Sequence, residues 1–557
     1  MTTSPCLAAC VWPAGSGWWI RRRVRVRRSA LVLAYAAVLG ACATLPPGAN
    51  YPKVASVALE HPEGTHLGAE FLASARAHGG LSGFHILAVG VDGFQIRAQM
   101  IDAAEQTLDL QYFIFRGDET GRLLTDGLLR AADRGVRVRV LVDDGDTVAG
   151  DEQIIALAEH PSIEVRIFNP FAYRGHSSLH RGLEFLAHSD RLDRRMHNKL
   201  LVVDNSVALV GGRNIGNEYF QVDPNTQFAD EDVFAAGPVA SELSATFDEY
   251  WNSRFAIPAA ALANTRHAGR ALAIHRERAR WHPAELIKKS AGDGSDYATR
   301  IASGEPYASL VAGRMPLVWA ASQVVCDSPE KEAVLAGTAA GELMASDVLD
   351  QIQLVRSELL IITPYLIPSA DEMVAVRSLR QREITVRILT NSFESGRGLL
   401  AHSGYSRYRR PLLEAGVELY EARALVGASK GSGETVRLTR YGNYGLHAKL
   451  YVFDRERVFI GSMNFDKRSK HLNTEVGVII DSAELAAQVV ERFKAMVQPQ
   501  NAYGVALQAG PAGGRARIVW RTQENSAPVE YGREPGSRAW QRLAIDALSH
   551  LPVSGEL

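Results

Sequence analysis

The sequence predicts an α/β protein of two repeated lobes, each a mixed sheet flanked by helices, joined as a pseudo-twofold bilobal unit around one shared active site. Three observations predict it. Apolar β-rich runs alternate with helix-period segments along most of the 557 residues, which is the pattern of a sheet covered by helices. A polar constellation occurs twice, first as His197-Asn198-Lys199, Asp204 and Gly211-Gly212-Arg213-Asn214, then as His447-Ala448-Lys449, Asp454 and Gly461-Ser462-Met463-Asn464. The strands around the first constellation are echoed, in order, around the second, the mark of an internal repeat.

The chain opens with a basic run from Arg21 to Arg28, an apolar run over 30–39, and Gly40-Ala41-Cys42-Ala43. These are the parts of a secretory signal. Leu39-Gly40-Ala41-Cys42 resembles the lipobox of bacterial lipoproteins, which implies cleavage before Cys42 and its lipidation. An uncleaved anchor over 29–45 is the competing reading, although a span normally needs about 20 apolar residues. Either version puts the protein on a membrane. Residues 43–84 read as tether and lead-in, with Pro46-Pro47-Gly48 as punctuation.

Lobe one is assigned to 85–258. Its strand patterns fall at 107–115, 136–142, 164–168 and Lys199–Val203, its helical patterns at 95–105 and 121–134. Asp143-Asp144-Gly145-Asp146 stands at a strand's C-terminal end, where α/β sheets bind ligands, and reads more simply as a solvated turn than as a metal site. A linker over 259–318 carries Arg266, Arg270, Arg276, Arg278, Arg280, Lys288 and Lys289 among alanines, a solvated helix face that could also lie on anionic headgroups. Lobe two, 319–498, repeats lobe one: LLIITPY at 359–365 echoes 108–113, ITVRILT at 384–390 echoes 135–142, and AGVELY at 415–420 echoes 162–168. The tail, 499–557, holds an amphipathic helix marked by Trp540, Leu543, Ala544, Ala547, Leu548 and Leu551, expected to pack on its own domain.

Composition narrows the function. With 61 basic and 62 acidic residues the net charge is −1, so the molecule has no polyanion-seeking character and no nucleic-acid partner is expected. Cys6, Cys10, Cys42 and Cys326 make no metal-ligand spacing. His176, His180, His188 and His471, and the isolated Gly292-Asp293-Gly294, fit no motif. His402 to Arg407, with Arg409 and Arg410, has no counterpart in lobe one and reads as a headgroup-facing segment or a surface helix start.

The chemistry lies in the duplicated stretch. Extended backbone puts His197 and Lys199 on one face, and His447 and Lys449 likewise. The following apolar runs read as hairpins that return Asn214 and Asn464, with small Gly211, Gly212, Gly461 and Ser462, to the same place. One imidazole, one ammonium and one carboxamide from each half would converge on an anionic group. A phosphodiester repels an anionic nucleophile until cations and amide donors neutralise it, the task suited to Lys199, Lys449, Asn214 and Asn464, with the Ser462 hydroxyl as a further donor. One neutral imidazole can attack phosphorus while the other, protonated, serves the leaving alkoxide. Asp204 and Asp454 sit at an odd offset from His and Lys and read as structural partners of the motif.

These motifs resemble the phospholipase D superfamily, and their context resembles its bacterial cardiolipin synthases of the C type. The stretches that carry the likeness are LDLQYFIF at 108–115, RGVRVRVLVDD at 134–144, VRIFNPF at 165–171, RRMHNK at 194–199, GGRNIG at 211–216 and GSMNFD at 461–466. The resemblance implies two phospholipase D-like repeats sharing one site, with His197 as nucleophile and His447 as acid and base. The symmetric pattern alone leaves that order open. It implies Glu475, in Asn473-Thr474-Glu475, as the carboxylate behind one imidazole, with Asp232, in Asp230-Glu231-Asp232, as the nearest lobe-one equivalent. Gly212 departs from the usual Ser. The implied reaction is phosphatidyl transfer through a phosphohistidine, without metal or cofactor, with phosphatidylglycerol as acceptor and either phosphatidylglycerol or phosphatidylethanolamine as donor, at the extracytoplasmic side of a bacterial envelope membrane. A hydrolase with the same residues, a nuclease of the superfamily and a non-catalytic envelope lipoprotein are the alternatives.

Overall fold

The computed structural model describes residues 46–145, 151–175, 177–222, 226–262, 270–279, 316–396, 398–424, 443–510, 514 and 516–550. The signal and lipobox with Cys42, most of the basic linker, His176, Asp146, Gly292-Asp293-Gly294 and Leu551 lie outside them. Among the described residues no helix is long and apolar enough to cross a membrane.

Lobe one contributes β1 (Ser82–Leu87), β2 (Thr107–Tyr112), β3 (Arg137–Asp143), β4 (Ile163–Phe168), β5 (Lys199–Val203), β6 (Val207–Gly211), β7 (Thr226–Ala229), β8 (Asp232–Ala236) and β9 (Ala256–Pro258). Lobe two contributes β10 (Val318–Cys326), β11 (Glu358–Ile362), β12 (Leu366–Ile367), β13 (Thr385–Asn391), β14 (Glu418–Ala422), β15 (Asn443–Leu446), β16 (Leu450–Phe453), β17 (Arg457–Gly461), β18 (Phe465–Asp466) and β19 (Val476–Asp481). β20 (Ala502–Gln508), β21 (Arg517–Glu524) and β22 (Ala527–Tyr531) follow. In lobe one β2 pairs parallel with β3 and β3 with β4, while β5, β6, β8 and β1 follow antiparallel from the other edge of β2. Lobe two repeats the order with β11, β13, β14, β16, β17, β19 and β10. β1 and β10, which hold equivalent places, also pair with each other antiparallel, Gly83 opposite Trp319, so the two sheets run together across the pseudo-twofold axis.

The central strands are buried on both faces; β5, β6, β11 and β16 accordingly read as near-continuous apolar runs, while β2 and β3 alternate and bury Asp109 and Arg139 as an ion pair at 2.6 Å. One face of each sheet is covered within its own lobe. The helix Gly90–Ala103 and the helix Glu119–Asp133 share lobe one's outer core with Leu108, Leu110, Val138 and Val140, and Met344–Leu354 and Ala370–Gln381 do the same in lobe two. The inner faces form a core common to both lobes, in which Leu200, Val202, Leu450 and Val452 meet Phe247 and Trp251 of the helix Pro238–Asn252 and Val489 and Phe493 of the helix Ala483–Met496.

Three regions differ from the sequence reading. The lead-in contains a helix, His66–Ala77, capped by the Thr65 hydroxyl and seated in the core through Leu67, Phe71 and Ala75; its polar outer face hid the period. The tail is more than a helix, since β20 adds antiparallel to β14 as β9 does to β4, and β21 and β22 extend the meander. Its helix Ala539–Ser549 packs against the helix Leu399–Glu414 and buries Ile545, leaving Trp540 and Leu543 exposed. His402 and Arg409 are buried, joined to Glu534, and Arg409 also to Glu421, so they tie the tail to lobe two instead of facing a headgroup.

Candidate active site

Each motif is a strand hairpin. β5 turns through Asp204 and Asn205, both in the left-handed region, into β6, and β16 turns through Asp454 and Arg455 into β17. Side chains that accept positive φ suit such two-residue turns. The turn acids are clamps. Asp204 accepts the backbone N–H groups of Glu105, Gln106 and Thr107 at 2.8–2.9 Å, and Asp454 those of Arg356, Ser357 and Glu358 at 2.6–3.1 Å, fixing each hairpin to the start of its neighbouring strand.

The segments that enter the hairpins cross between lobes. β15 pairs parallel with β7, Leu446 opposite Ala229, and the His447 N–H donates to the Ala229 carbonyl at 2.7 Å. Its counterpart is a parallel bridge between Met196 and Thr474, with the His197 N–H donating to the Thr474 carbonyl at 2.9 Å. The residue after each acceptor is an acid, so each histidine meets the carboxylate of the opposite lobe. His197 Nδ1 lies 2.8 Å from Glu475 Oε2, and His447 Nδ1 lies 2.5 Å from Asp230 Oδ2.

This corrects Asp232. That residue stands inside β8 opposite Gly211 and neutralises two buried guanidiniums, Arg97 at 2.9 Å and Arg213 at 3.1 Å. Gly211 and Gly461 are register equivalents, and their partners Asp232 and Gly477 show that Asp230 is the counterpart of Glu475. The crosswise arrangement itself had no signal in the sequence. Two acids spaced by two residues looked interchangeable, and only the glycine register separates them.

The small residue at the end of each hairpin explains itself by contact. A Cβ on Gly212 would fall 2.0 Å from Asp230 Oδ1, so lobe one needs glycine there. In lobe two Ser462 fits and donates its hydroxyl to Glu475 while accepting the Val476 N–H, so that hydroxyl serves the acid rather than the phosphate. The asparagines also differ. Asn214 accepts from the Ile114 N–H at 3.2 Å and donates to the Tyr219 hydroxyl at 2.9 Å, leaving one amide hydrogen. Asn464 Oδ1 is buried and finds no hydrogen-bond partner among the described residues.

Asp143, a solvated-turn residue by its sequence context, is instead wholly buried. Its carboxylate accepts the Met196 N–H at 2.9 Å and pairs with Arg195 at 3.1 Å. At the equivalent place in lobe two Asn391 Oδ1 accepts the Leu446 N–H at 2.9 Å. Both side chains therefore fix the residue just before a histidine. The ends of β3 and β13 carried the hint, since sites in α/β sheets gather there.

The site is buried and crowded with ionisable groups. Phe113 meets the His197 ring edge-on at 5.1 Å, and Tyr219 and Phe228 flank His447 at 5.2 and 5.1 Å. Lys449 Nζ lies 2.8 Å from His447 Nδ1, and Lys199 Nζ donates to the His197 carbonyl. Burial, reinforced by Lys199 and Lys449, holds His197 well below the ordinary imidazole range, and burial with Lys449 pushes His447 down to about 3. Burial lowers Lys449 to about 8 and, with Lys449 nearby, takes Lys199 well below its usual range. Glu475 is raised by burial despite Lys199 and the Ser462 donor. Burial alone would raise Asp230 too, but His447 and Lys449 hold it below the carboxylate range. Lys449 supplies that direction whether or not His447 carries a proton. Two lysines and two imidazoles thus stand together with two carboxylates behind them; the charges balance while the imidazoles are neutral, and a bound phosphodiester would bring the negative charge that offsets an imidazolium.

A family model described as cardiolipin synthase, PLD-like domain, matches residues 98–251 and 348–497. The chain is similar to cardiolipin synthase C of Escherichia coli (strain K12), 36% identical over 480 residues that cover 86% of this chain and 96% of that one. It is also similar to the major cardiolipin synthase ClsA of Bacillus subtilis (strain 168), 25% identical over 73% of this chain and 67% of that protein. Among solved structures, phosphatidylserine synthase of Haemophilus influenzae Rd KW20 matches with a TM-score of 0.48 and 14% identity, over 77% of this chain and 91% of that one.

Proposed function

Because the chain belongs to the phospholipase D-like family of cardiolipin synthases, we propose that it is a phosphatidyltransferase that makes cardiolipin from phosphatidylglycerol and a second phospholipid. The observation that carries the reading is the pair of crosswise His–carboxylate contacts, His197 with Glu475 and His447 with Asp230, beside two buried lysines.

In the proposed reaction the carboxylate on Nδ1 fixes each imidazole's tautomer and leaves Nε2 to act. His197 Nε2 attacks the phosphorus of the donor lipid, a P–N bond forms, and the P–O bond to the leaving alkoxide breaks. His447, which burial and Lys449 keep neutral in the free site, takes up a proton as the anionic phosphodiester binds and gives it to that alkoxide. The glycerol hydroxyl of phosphatidylglycerol then loses its proton to His447, its oxygen attacks phosphorus, and the P–N bond breaks. The difference between the acids favours this order. Asp230 stays anionic and can stabilise an imidazolium at His447, whereas Glu475 shares its charge with the Ser462 hydroxyl, which suits a histidine that attacks as a neutral nucleophile.

The substrates are insoluble, so a membrane tether is part of the proposal: lipidation at Cys42, or an uncleaved N-terminal anchor, would confine the enzyme to the extracytoplasmic face of the envelope, and Cys42→Ser should release the first kind of tether and not the second.

The test is incubation of purified protein with phosphatidylglycerol vesicles, with and without phosphatidylethanolamine, beside His197→Ala and His447→Ala. Cardiolipin should form with the unmodified protein alone. Phosphatidic acid without cardiolipin would reassign the protein as a hydrolase, and neither product would defeat the reading.

A further inference from the structure

Between β4 and β5, immediately ahead of the first histidine, the chain makes a helix, Ser178–Ala187, with no buried residue. Leu179, Leu183 and Leu186 lie on one side of it at helical spacing, 69, 57 and 74% exposed. Gly182 stands among them, and a Cβ there would meet nothing within 4 Å. Fully burying a leucine is worth roughly 1.5–3 kcal/mol, so these three clustered leucines together forgo a gain that the leucines of the lobe cores take.

The opposite side of the helix is firmly held. Glu184 accepts the backbone N–H groups of Ala172 and Tyr173 at 2.6 and 2.9 Å. Arg181 donates to the Asp144 carbonyl at 2.5 Å, and its guanidinium lies 4.0 Å from the centre of the Phe171 ring. Asp144 adjoins Asp143, whose carboxylate holds the Met196 N–H next to His197. The leucines are therefore presented outward from a connection hydrogen-bonded back to the approach to His197.

We propose that this helix is a membrane-contact element whose leucine ridge enters the boundary between headgroups and acyl chains, seating the His197 side of the site against the bilayer that holds the substrates. The inference rests on the proposed reading that those substrates are lipids. Three features select a bilayer over a protein partner. The ridge is purely aliphatic, whereas binding energy at protein interfaces concentrates in Trp, Tyr and Arg, with leucine under-represented. A short amphipathic helix with one bare apolar face is the form that lies in a membrane interface. The nearest cations, Arg174 and Arg181, are engaged with Asp144, so the contact is apolar insertion and should survive high salt.

The test uses the full chain and mixed phosphatidylglycerol–phosphatidylcholine vesicles, with Leu183→Trp read by quenching from brominated acyl chains against the unmodified protein. Quenching of the added Trp is expected, unchanged in 0.5 M salt (roughly a 4 Å screening length). The triple replacement of Leu179, Leu183 and Leu186 by Glu should lower the ratio of vesicle turnover to turnover of a water-soluble phosphodiester at least fivefold. Val374→Glu, at an equally exposed apolar residue of lobe two, should leave the ratio unchanged. The proposal is overturned if Leu183→Trp is not quenched, if the triple variant keeps the ratio, or if the ridge proves to be covered by a second copy or another protein. Quenching reads depth without turnover, so absence of lipid chemistry in the unmodified protein would count against the proposed function and leave this proposal to be decided by the fluorescence.

Discussion

The two lobes share a backbone plan yet hold their acids by different means. Behind Asp230 stand cations: Arg213 donates to its carbonyl, Asp232 gathers Arg97 and Arg213, and Arg492 reaches from lobe two to Glu231. Behind Glu475 stands a single buried ion pair. Asp327 accepts the Glu475 N–H at 3.0 Å and is neutralised by Lys331 at 2.8 Å, which also donates to the Ser469 and Asn473 carbonyls. Symmetry thus fixes where each carboxylate meets its histidine, and asymmetry fixes how negative that carboxylate is. Two halves of one repeat can in this way supply a nucleophile and an acid at a single phosphorus.

The largest effect that would break this comparison is the exchange of roles between the histidines. His197→Ala and His447→Ala should each lower lipid transfer at least 1000-fold, within the range for loss of acid–base or nucleophilic catalysis (about 10²–10⁴ and above). A phosphodiester with a nitrophenolate leaving group needs no proton, so it should restore turnover of a covalent intermediate's first step in His447→Ala and none in His197→Ala. Rescue of His197→Ala instead, or a phosphoenzyme adduct mapped to His447, would reverse the assignment.

Next in size is the contrast between Asp230 and Asp232, two residues apart on one strand approach. Asp230→Asn should cost roughly 10²–10³ in kcat, because His447 loses the charge that favours its imidazolium, while the melting temperature stays near that of the unmodified protein. Asp232→Asn should do the opposite. It strands Arg97 and Arg213, each almost fully buried, and breaking a buried pair costs about 3–5 kcal/mol. Thermal unfolding and kcat measured on the same preparations separate the two, and equal behaviour would show that Asp232 also serves the histidine.

How much of this was legible in the sequence follows from the range over which each signal acts. The hairpins, the repeat and the residues His197, Lys199, His447 and Lys449 are local patterns of strand period and turn chemistry, and they stand where expected. Glu475 was placed by likeness, but Asp230 was missed in favour of Asp232, because pairing between lobes is invisible along one chain. Asp143 was missed for the same reason: its partner, the Met196 N–H, is 53 residues away in sequence. The lead-in helix was hidden by its polar outer face, and the meander at 502–531 by the short, mixed runs of edge strands. Charge balance excluded nothing inside the site, since a net charge of −1 carries no information on where the two lysines and their carboxylates stand.

The smallest expected effect is also the most direct probe of what makes the lobes unequal. Ser462 donates to Glu475, and a donor stabilises the anion, so Ser462→Gly removes a lowering influence from a carboxylate that burial already raises. The pH at which Glu475 becomes anionic must then rise, and the acid limb of the kcat profile should move upward by up to about one unit with a several-fold loss at its optimum. The basic limb should not move, since burial, and not the Ser462 hydroxyl, lowers Lys199 and Lys449. The reciprocal change does not mirror it. Gly212→Ser would drive a Cβ to 2.0 Å from Asp230 Oδ1, displacing the acid instead of tuning it, so lobe one cannot be converted to the lobe-two arrangement by the same single exchange. A shift of the basic limb in Ser462→Gly, or a fully active Gly212→Ser, would mean that the hydroxyl addresses the phosphate and that the inequality of the acids has another origin.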